Sequence, residues 1–314
     1  MRGLPFFLLL VAVAAAVFGA ASWIGNPYVF FAGYVVLQYI VLATAWNILG
    51  GYTGYVNFGT AAFFALGAYT TVLIHKLHPL PVPLLMLAAG ALSGVVGLGM
   101  GYLTLRLRGV FFSIATLALA VVAQTLVVNW DFIGGSRGAY VVRPRLAPLW
   151  GGPYIDYLFV LMLGLVVVTL LAARAIERSR LGYGFAAIRD DELAAEASGV
   201  PTLRLKLIAT TLSGAFMGMA GAPLPYYVTY LDPTSAFSLT YAVNSIAMPL
   251  IGGTASWLGP VIGAVLLGTL QQVATVTISS AVNLLFVGLM LICFVILAPN
   301  GLIGLFRARR RPTP

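Results

Sequence analysis

Charged residues are scarce in this chain of 314 residues. They make up 8% of it, against 61% hydrophobic residues and a mean hydropathy of +1.01. A water-soluble domain carries about 25% charged residues, so this composition indicates a membrane as the solvent and excludes a soluble enzyme or a disordered chain. Cysteine is almost absent too. The one residue, Cys293, lies in an apolar run and cannot form an internal disulfide, so we interpret it as a small buried hydrophobe.

Lysine occurs only twice, as Lys76 and Lys206, and neither follows a glycine. A P-loop needs the sequence Gly-Lys-Ser or Gly-Lys-Thr to hold nucleotide phosphates, so this chain has no Walker A motif. His75 and His78 flank Lys76 without clustered cysteine or carboxylate ligands, and prolines follow directly. We therefore expect neither a metal site nor catalytic residues.

Apolar stretches of membrane-spanning length separate the few charges, and no charged residue occurs between Arg2 and Lys76. Because a spanning helix needs about 20 apolar residues, we predict an all-α polytopic membrane bundle of about ten spans, forming a single domain over residues 1–314. We expect an uncleaved first helix, although its sequence also resembles a signal peptide. The predicted spans, of which the eighth and tenth are short, are residues 4–22, 28–49, 60–75, 84–104, 110–129, 154–173, 207–228, 240–252, 260–278 and 284–299.

The basic residues are distributed unevenly around these spans. With the N-terminus inside, all but four of the 17 Lys and Arg residues fall on the inner side, as the positive-inside rule expects. The four exceptions are Lys76, Arg137, Arg143 and Arg145. An even number of spans places the basic tail, residues 306–314, on the same side as Arg2, so we predict that both termini are cytoplasmic and that the tail binds no nucleic acid.

Two uncharged, glycine-rich connections interrupt the apolar runs, at residues 50–59 and 252–260. Irregular backbone survives at membrane depth only where protein covers it or a wet cavity meets it. We therefore predict re-entrant or unwound backbone at Gly50, Gly51, Gly54, Gly59, Gly252, Gly253, Gly259 and Pro260. Small residues at intervals of three and four in the fourth and seventh spans predict close packing between helices.

One inner loop, residues 174–206, holds five of the eight acidic residues. Residues 185–197 favour a helix, on which Arg189, Glu192 and Glu196 would share one face. A short charged helix held between two spans suits docking into a groove on a cytoplasmic protein. A solvated loop helix with local charge pairs is the alternative.

Polar uncharged side chains inside the spans are the candidates for lining a solute path. We select Asn57, Thr60, Gln124, Asn244 and Ser245. Hydrogen bonds between helices are the other role that such residues commonly have. A path without fixed charges would let a zwitterion pass without trapping it.

The string Ala187–Val200 resembles the cytoplasmic coupling motif of branched-chain amino acid ABC permeases of the LivM type. The resemblance extends along most of the chain, through residues 51–54, 107–109, 252–253 and 299–302. Two positions depart from the family pattern: Tyr183 stands where a basic residue is common, and Ile133 stands where threonine is usual. These departures leave the exact substrate open.

The resemblance implies a permease subunit that pairs with a LivH-like permease, two cytoplasmic ATPase subunits and a periplasmic substrate-binding protein. ATP and Mg²⁺ would be bound by the ATPases and no cofactor by this chain. The solute would be a branched-chain or other hydrophobic amino acid, with urea or short amides as alternatives. The resemblance assigns coupling to the ATPases to Ala187, Ile188, Arg189, Asp190, Asp191, Glu192, Ala194, Ala195, Glu196 and Gly199.

An ion-coupled secondary transporter of a small neutral or zwitterionic solute is the alternative class. Proton relays usually need buried carboxylates or histidines, and the sequence places none deep inside a proposed span. Sodium coupling stays open, because the carbonyls of unwound backbone can hold that ion. Under this alternative the acidic loop has no evident role.

Overall fold

The computed structural model describes residues 3–104, 107, 109–143, 151–277, 288–289 and 301–308, the last four of these by backbone alone. Most of these residues are helical. The helices are α1 (Gly3–Ile24), α2 (Pro27–Thr53), α3 (Thr60–Leu77), α4 (Val82–Thr104), α5 (Val110–Val128), α6 (Tyr154–Glu177), α7 (Arg180–Asp190), α8 (Glu192–Ala197), α9 (Thr202–Gly221), α10 (Leu224–Val228), α11 (Pro233–Ala236), α12 (Leu239–Gly252), α13 (Leu258–Thr277) and α14 (Gly301–Ala308). Two 3₁₀ turns, Asp131–Ile133 and Gly135–Arg137, and two short strands, β1 (Ala139–Tyr140) and β2 (Tyr230–Leu231), complete the described elements.

Eight helical stretches in the described part of the chain are long and apolar enough to cross a membrane. They correspond to the first seven predicted spans and to the ninth, which confirms the all-α polytopic bundle. The eighth predicted span forms α12, whose 14 residues are short for a full crossing. All but two residues of the predicted tenth span, residues 284–299, and most of the predicted basic tail lie outside the described residues.

Helix α2 forms the centre of the bundle. Every residue from position 37 to position 53 is buried, and α2 packs against α6, α9, α12 and α13. Trp46 is among the largest of the fully buried side chains. A helix that is apolar on all sides belongs in the interior of a bundle, and four spanning or core helices pack on this one.

Helices α4 and α9 form the most extensive helix pair among the described elements. Their glycines allow this contact, because a Cβ atom on Gly97 would lie 3.1 Å from the carbonyl oxygen of Thr210, and one on Gly218 would lie 2.8 Å from that of Ala89. The predicted close approach of the fourth and seventh spans is therefore confirmed.

The two short strands join the connections at one end of the bundle. Strands β1 and β2 are antiparallel, with Tyr140 opposite Tyr230 and their ring centroids 4.7 Å apart. After β2, Asp232 caps α11 by accepting a hydrogen bond from the Ser235 N–H at 3.0 Å. The Ser235 hydroxyl, which also donates to this carboxylate, and the neighbouring backbone amides hold the pKa of Asp232 below its ordinary value.

Replacing Gly218 with alanine tests the packing of α4 against α9. The added methyl group would overlap Ser93 and crowd the Ala89 carbonyl, so we expect Gly218→Ala to lower stability by about 1–3 kcal/mol and to lower the thermal unfolding midpoint of the detergent-solubilised protein. Gly99→Ala on α4 is the matched control, since a Cβ atom there would meet nothing within 4 Å. Equal unfolding midpoints for the two variants would contradict this account of the packing.

Candidate functional site

The backbone between α2 and α3, residues 54–59, leaves the helical conformation, and we name it the first break. It starts at Gly54, whose φ of +79° is the left-handed conformation that favours glycine. Burial then alternates along the segment, with Tyr55 and Asn57 buried and Val56 exposed. This period of two is that of an extended strand, so Tyr55 and Asn57 lie on the same inward side.

Side chains from α2 and α5 bind the backbone of the first break. The Trp46 indole Nε1 donates a hydrogen bond to the carbonyl of Asn57 at 2.9 Å. Two further bonds run from the Ser113 hydroxyl to the Val56 carbonyl at 2.9 Å and from the Phe58 N–H to the Thr116 hydroxyl at 3.1 Å. Irregular backbone at membrane depth needs such partners within the protein.

A second break, residues 253–257, separates α12 from α13. The side-chain amide of Asn47 donates to the carbonyl of Thr254 at 3.1 Å, and the carboxylate of Glu177 accepts from the Trp257 N–H at 3.0 Å. Asn47 directly follows Trp46 in α2. Two consecutive residues of the central helix therefore hold the two breaks.

Both breaks are shorter than the sequence predicted. Gly50 and Gly51 lie in the last turns of α2, Gly252 ends α12, and Gly259 and Pro260 lie in the first turn of α13. The prediction of unwound backbone was therefore wrong for these five residues. Gly50 instead provides room for packing, since a Cβ atom there would lie 2.5 Å from the Trp46 ring. Proline in a first turn removes no intrahelical hydrogen bond. Gly54, Gly59 and Gly253 lie in the breaks.

The loop between α6 and α9 also differs from the prediction. The single helix expected over residues 185–197 is two helices, α7 and α8, with Asp191 in an extended conformation between them. The Asp191 carboxylate accepts hydrogen bonds from the N–H groups of Leu193 and Ala194 at 2.9 and 3.1 Å. Aspartate is among the best N-capping residues, and this preference outweighs the helix propensity of the surrounding alanines.

The prediction that Arg189, Glu192 and Glu196 share one face of a single helix was therefore wrong. Arg189 lies at the surface with its Nε 3.5 Å from Asp190, and Glu196 accepts a hydrogen bond from the Thr202 hydroxyl at 2.6 Å. Glu192 turns toward the bundle. The kink at Asp191 rotates α8 relative to α7, so that the wheel of one continuous helix no longer applies.

Glu192 meets a lysine that is almost completely buried. The side chain of Lys206, near the start of α9, has its Nζ 2.7 Å from Glu192 Oε1 and 3.2 Å from the Tyr55 hydroxyl, and the residue is 3% exposed. The Tyr55 hydroxyl donates to the other carboxylate oxygen of Glu192. We name Tyr55, Glu192 and Lys206 the buried triad. It joins α8, α9 and the first break through charged hydrogen bonds, which are stronger than neutral ones.

A cavity of about 410 Å³ lies beside the buried triad. The loop and the first break are in direct contact there, since a Cβ atom on Gly54 would lie 3.2 Å from Arg189 Cγ. The lining residues are Thr53, Gly54, Tyr55, Val56, Gly109, Val110, Ser113, Ile188, Arg189 and Glu192. The cavity therefore lies between the loop, the first break and the start of α5.

The surface of the loop that faces away from the bundle is partly apolar. Tyr183 and Leu193 are 74% and 62% exposed. Asp190, Asp191 and Glu196 are exposed around them. Of the other residues selected in this loop, Ile188 and Ala195 are buried, Ala187 is half-buried, and Ala194 and Gly199 are exposed.

Two of the selected path residues lie together at the first break. Asn57 and Thr60 are fully buried, and neither Asn57 Nδ2 nor Thr60 Oγ1 has a hydrogen-bond partner among the described residues. Gln124 lies on α5 and is partly exposed. The structure does not bring it together with the other two.

The remaining two path candidates lie on α12 and serve bonds within the bundle. The Asn244 side chain donates to the Tyr39 hydroxyl and accepts from the Gln271 amide, both at 3.0 Å, so it links α2, α12 and α13. The Ser245 hydroxyl donates to the Tyr241 carbonyl of its own helix at 2.6 Å. Polar residues in spans commonly form hydrogen bonds that stabilise the helix bundle, and Asn244 and Ser245 have this structural role.

Sequence reasoning missed two members of the buried triad, Tyr55 and Lys206. Lys206 does carry a signal, because it is one of only two lysines and directly precedes an apolar run. Its partner Glu192 lies 14 residues earlier, at the start of α8, and the sequence between the two residues does not indicate that they pair.

Comparisons with known proteins place this architecture among transport proteins. Residues 28–295 match the family model described as branched-chain amino acid transport system / permease component. No solved structure matches the chain.

Three relatives illustrate the range of the similarity. The high-affinity branched-chain amino acid transport system permease protein LivM of Salmonella typhimurium is 28% identical over 87% of this chain and 69% of its own length. The L-arabinose ABC transporter permease protein AraH of Azospirillum brasilense is 28% identical over 70% of this chain and 64% of its own. The probable branched-chain amino acid transport permease protein LivH of Methanocaldococcus jannaschii is 23% identical over 80% and 84%. The chain is a multi-pass membrane protein that belongs to the family of branched-chain amino acid transport system permease components, and it is of the LivM type.

Proposed function

We propose that this chain is one permease subunit of an ATP-driven importer for branched-chain or other hydrophobic amino acids in a bacterial inner membrane. The sequence has no Walker A motif, and under this proposal two separate ATPase subunits bind ATP and Mg²⁺. A LivH-like permease supplies the other half of the channel, and a periplasmic binding protein delivers the solute. The distribution of basic residues favours cytoplasmic termini and a cytoplasmic loop between α6 and α9.

The buried triad is the observation that carries this proposal. A loop that merely connects two spans needs no buried charge, since desolvating an ammonium group costs several kcal/mol unless a partner compensates. Here Glu192 of α8 supplies that partner at 2.7 Å, and Tyr55 connects both to the first break. A displacement of α8 therefore displaces α9 and the first break with it.

The proposed cycle uses this connection. When the ATPases close on ATP, they move α7 and α8, and Glu192 moves Lys206 and Tyr55. Gly54 absorbs the change in backbone torsion, since glycine tolerates both left-handed and right-handed conformations. Helix α4 follows α9 because their backbones are in close contact. The cavity beside the triad changes shape as these elements move, which gives alternating access to the solute.

The outer surface of the loop supports docking, but through different groups from those that the sequence suggested. Glu192 faces inward, so it is not available to an ATPase. Tyr183 and Leu193 project from the loop, and burying such side chains in a partner's groove supplies most of the affinity of a typical interface. Asp190 and Glu196 at the rim would mainly guide the approach of the partner.

The Tyr55 hydroxyl tests coupling. Tyr55→Phe keeps the ring against Phe112, which lies 5.1 Å away between ring centroids, but it removes both hydrogen bonds of the hydroxyl. We expect the amount of leucine taken up per ATP hydrolysed to fall about fivefold or more in vesicles that contain the assembled transporter, because each lost bond to a charged group costs about 1.5–3 kcal/mol.

Tyr34→Phe is the matched control for this measurement. Tyr34 is also a fully buried tyrosine of the bundle, and its hydroxyl has no hydrogen-bond partner among the described residues. Its uptake per ATP should equal that of the unmodified protein. An equal loss in both variants would mean that the Tyr55 hydroxyl has no special part in coupling.

Truncating the exposed loop side chains tests docking. We expect Tyr183→Ala and Leu193→Ala each to weaken binding of the ATPase subunit to the permease about thirtyfold, since an interface anchor commonly contributes about 2 kcal/mol. The measurement is the amount of ATPase subunit that co-purifies with the permease. Asp190→Asn, an equally accessible change in the same loop, should alter mainly the salt dependence of binding. Full recovery of the ATPases with both alanine variants would argue against this docking surface.

A further inference from the structure

Two neighbouring polar side chains at the start of α3 have hydrogen-bonding groups that the described residues do not satisfy. Asn57 Nδ2 and Thr60 Oγ1 have no partner there, and both residues are fully buried. An unsatisfied polar group in the interior destabilises a protein, and each such group needs a physical explanation. Here two such groups lie three residues apart in the sequence and beside a break in the backbone. This arrangement indicates a site for an exchangeable ligand.

The position of the Asn57 amide is fixed against the N-terminus of α3. Its Oδ1 accepts a hydrogen bond from the Gly59 N–H at 2.7 Å, so Nδ2 lies beside the first turn of the helix. Thr60 is the first residue of α3, which is 18 residues long. The N–H groups of Ala62 and Phe63 donate to the Gly59 carbonyl at 3.0 and 3.2 Å, so the amides that stay available at the positive end of the helix dipole are those of Thr60 and Ala61. The groups without a partner here are therefore backbone N–H groups and the Asn57 side-chain amide, which donate hydrogen bonds, and the Thr60 hydroxyl, which can donate one.

A carboxylate is the ligand that such a set of donors fits best. Helix N-termini bind anionic groups without a basic side chain, and transporters use broken helices to hold a substrate carboxylate in this way. The ammonium group of Lys206 is paired with Glu192. The donors identified at the start of α3 are neutral, which favours weak and reversible binding of an anionic group there.

We propose that Asn57, Thr60 and the first amides of α3 form a transient subsite for the α-carboxylate of the transported amino acid. This inference rests on the proposed function, since it takes the solute to be an amino acid. It adds to that function the group of the solute that the permease itself recognises.

The first break provides the route to this subsite. The cavity of about 410 Å³ is lined by Val56, which directly precedes Asn57, and its volume lies within the range of about 300–1,000 Å³ that ligand sites have. Asn57 lies on the same side of the extended segment as Tyr55, a member of the buried triad. Asn57 is not among the residues that line the cavity, so the proposal requires that a movement of the triad turns this segment and brings Asn57 to the cavity.

Trp46 offers a direct optical signal for occupation of the subsite, because its indole donates to the carbonyl of Asn57. The experiment uses the assembled transporter in lipid nanodiscs with a non-hydrolysable ATP analogue, after Trp23, Trp130, Trp150 and Trp257 have been replaced with phenylalanine. This chain alone is produced with 7-azatryptophan, so that the emission of residue 46 is separated from that of tryptophans in the partner subunits. Three probes are titrated: L-leucine, 4-methylpentanoate, which lacks the ammonium group, and 3-methylbutylamine, which lacks the carboxylate. We expect a saturable change in fluorescence with the first two probes and none with the amine.

Thr60→Val, a change of nearly equal volume, should raise the half-saturating leucine concentration about tenfold, as expected for one lost bond to a charged group. Thr60→Ser, which keeps the hydroxyl, should retain the original value. Thr71→Val is the matched control, since Thr71 is also fully buried on α3 and also without a partner among the described residues, but far from the helix start. It should leave the titration unchanged.

Three results would overturn the subsite: an equal response to the amine, an equal shift in Thr60→Val and Thr71→Val, or no saturable response to any probe. Uptake of radiolabelled leucine by the same preparation in vesicles separates this failure from failure of the proposed function. If uptake proceeds while the fluorescence pattern fails, the subsite is wrong and the transport function stands. If ATP-driven uptake itself is absent, the proposed function fails and the subsite fails with it.

Discussion

Backbone that leaves the helical conformation inside a bilayer must find its hydrogen bonds within the protein, and one helix supplies hydrogen bonds to both the first break and the second break. Trp46 and Asn47, consecutive residues of α2, bind the carbonyls of Asn57 and Thr254. Because α2 is buried throughout this region, the two breaks are attached to the buried centre of the bundle. The cavity and the loop contact described above depend on that arrangement.

The buried triad adds a second constraint at the edge of this core. It ties the first break to α8 and α9, so the same short segment is held on one side by uncharged bonds from the centre and on the other by charged bonds from the loop. A segment with two such attachments can transmit a movement without unfolding. Close glycine packing then extends the movement from α9 to α4.

The fold could be predicted from the sequence to the extent that it depends on hydrophobicity, which is a local property. Glycine was harder to interpret, because it marks both a break, as at Gly54, and close packing within a helix, as at Gly50. The division of the loop into α7 and α8 could not be predicted, because the high helix propensity of its residues favoured one continuous helix over an N-cap at Asp191. The inward direction of Glu192 follows from its contact with Lys206, which only the folded chain creates.

Exchanging the charges of the buried ion pair tests most directly whether the loop drives the bundle through this contact. The measurement is ATP-driven leucine uptake by vesicles that contain the assembled transporter. Glu192→Lys and Lys206→Glu each place like charges together, so we expect each single variant to lose uptake, whereas the double variant restores the pair and recovers a substantial part of it. Normal uptake by either single variant, or a double variant no better than the singles, would contradict the account.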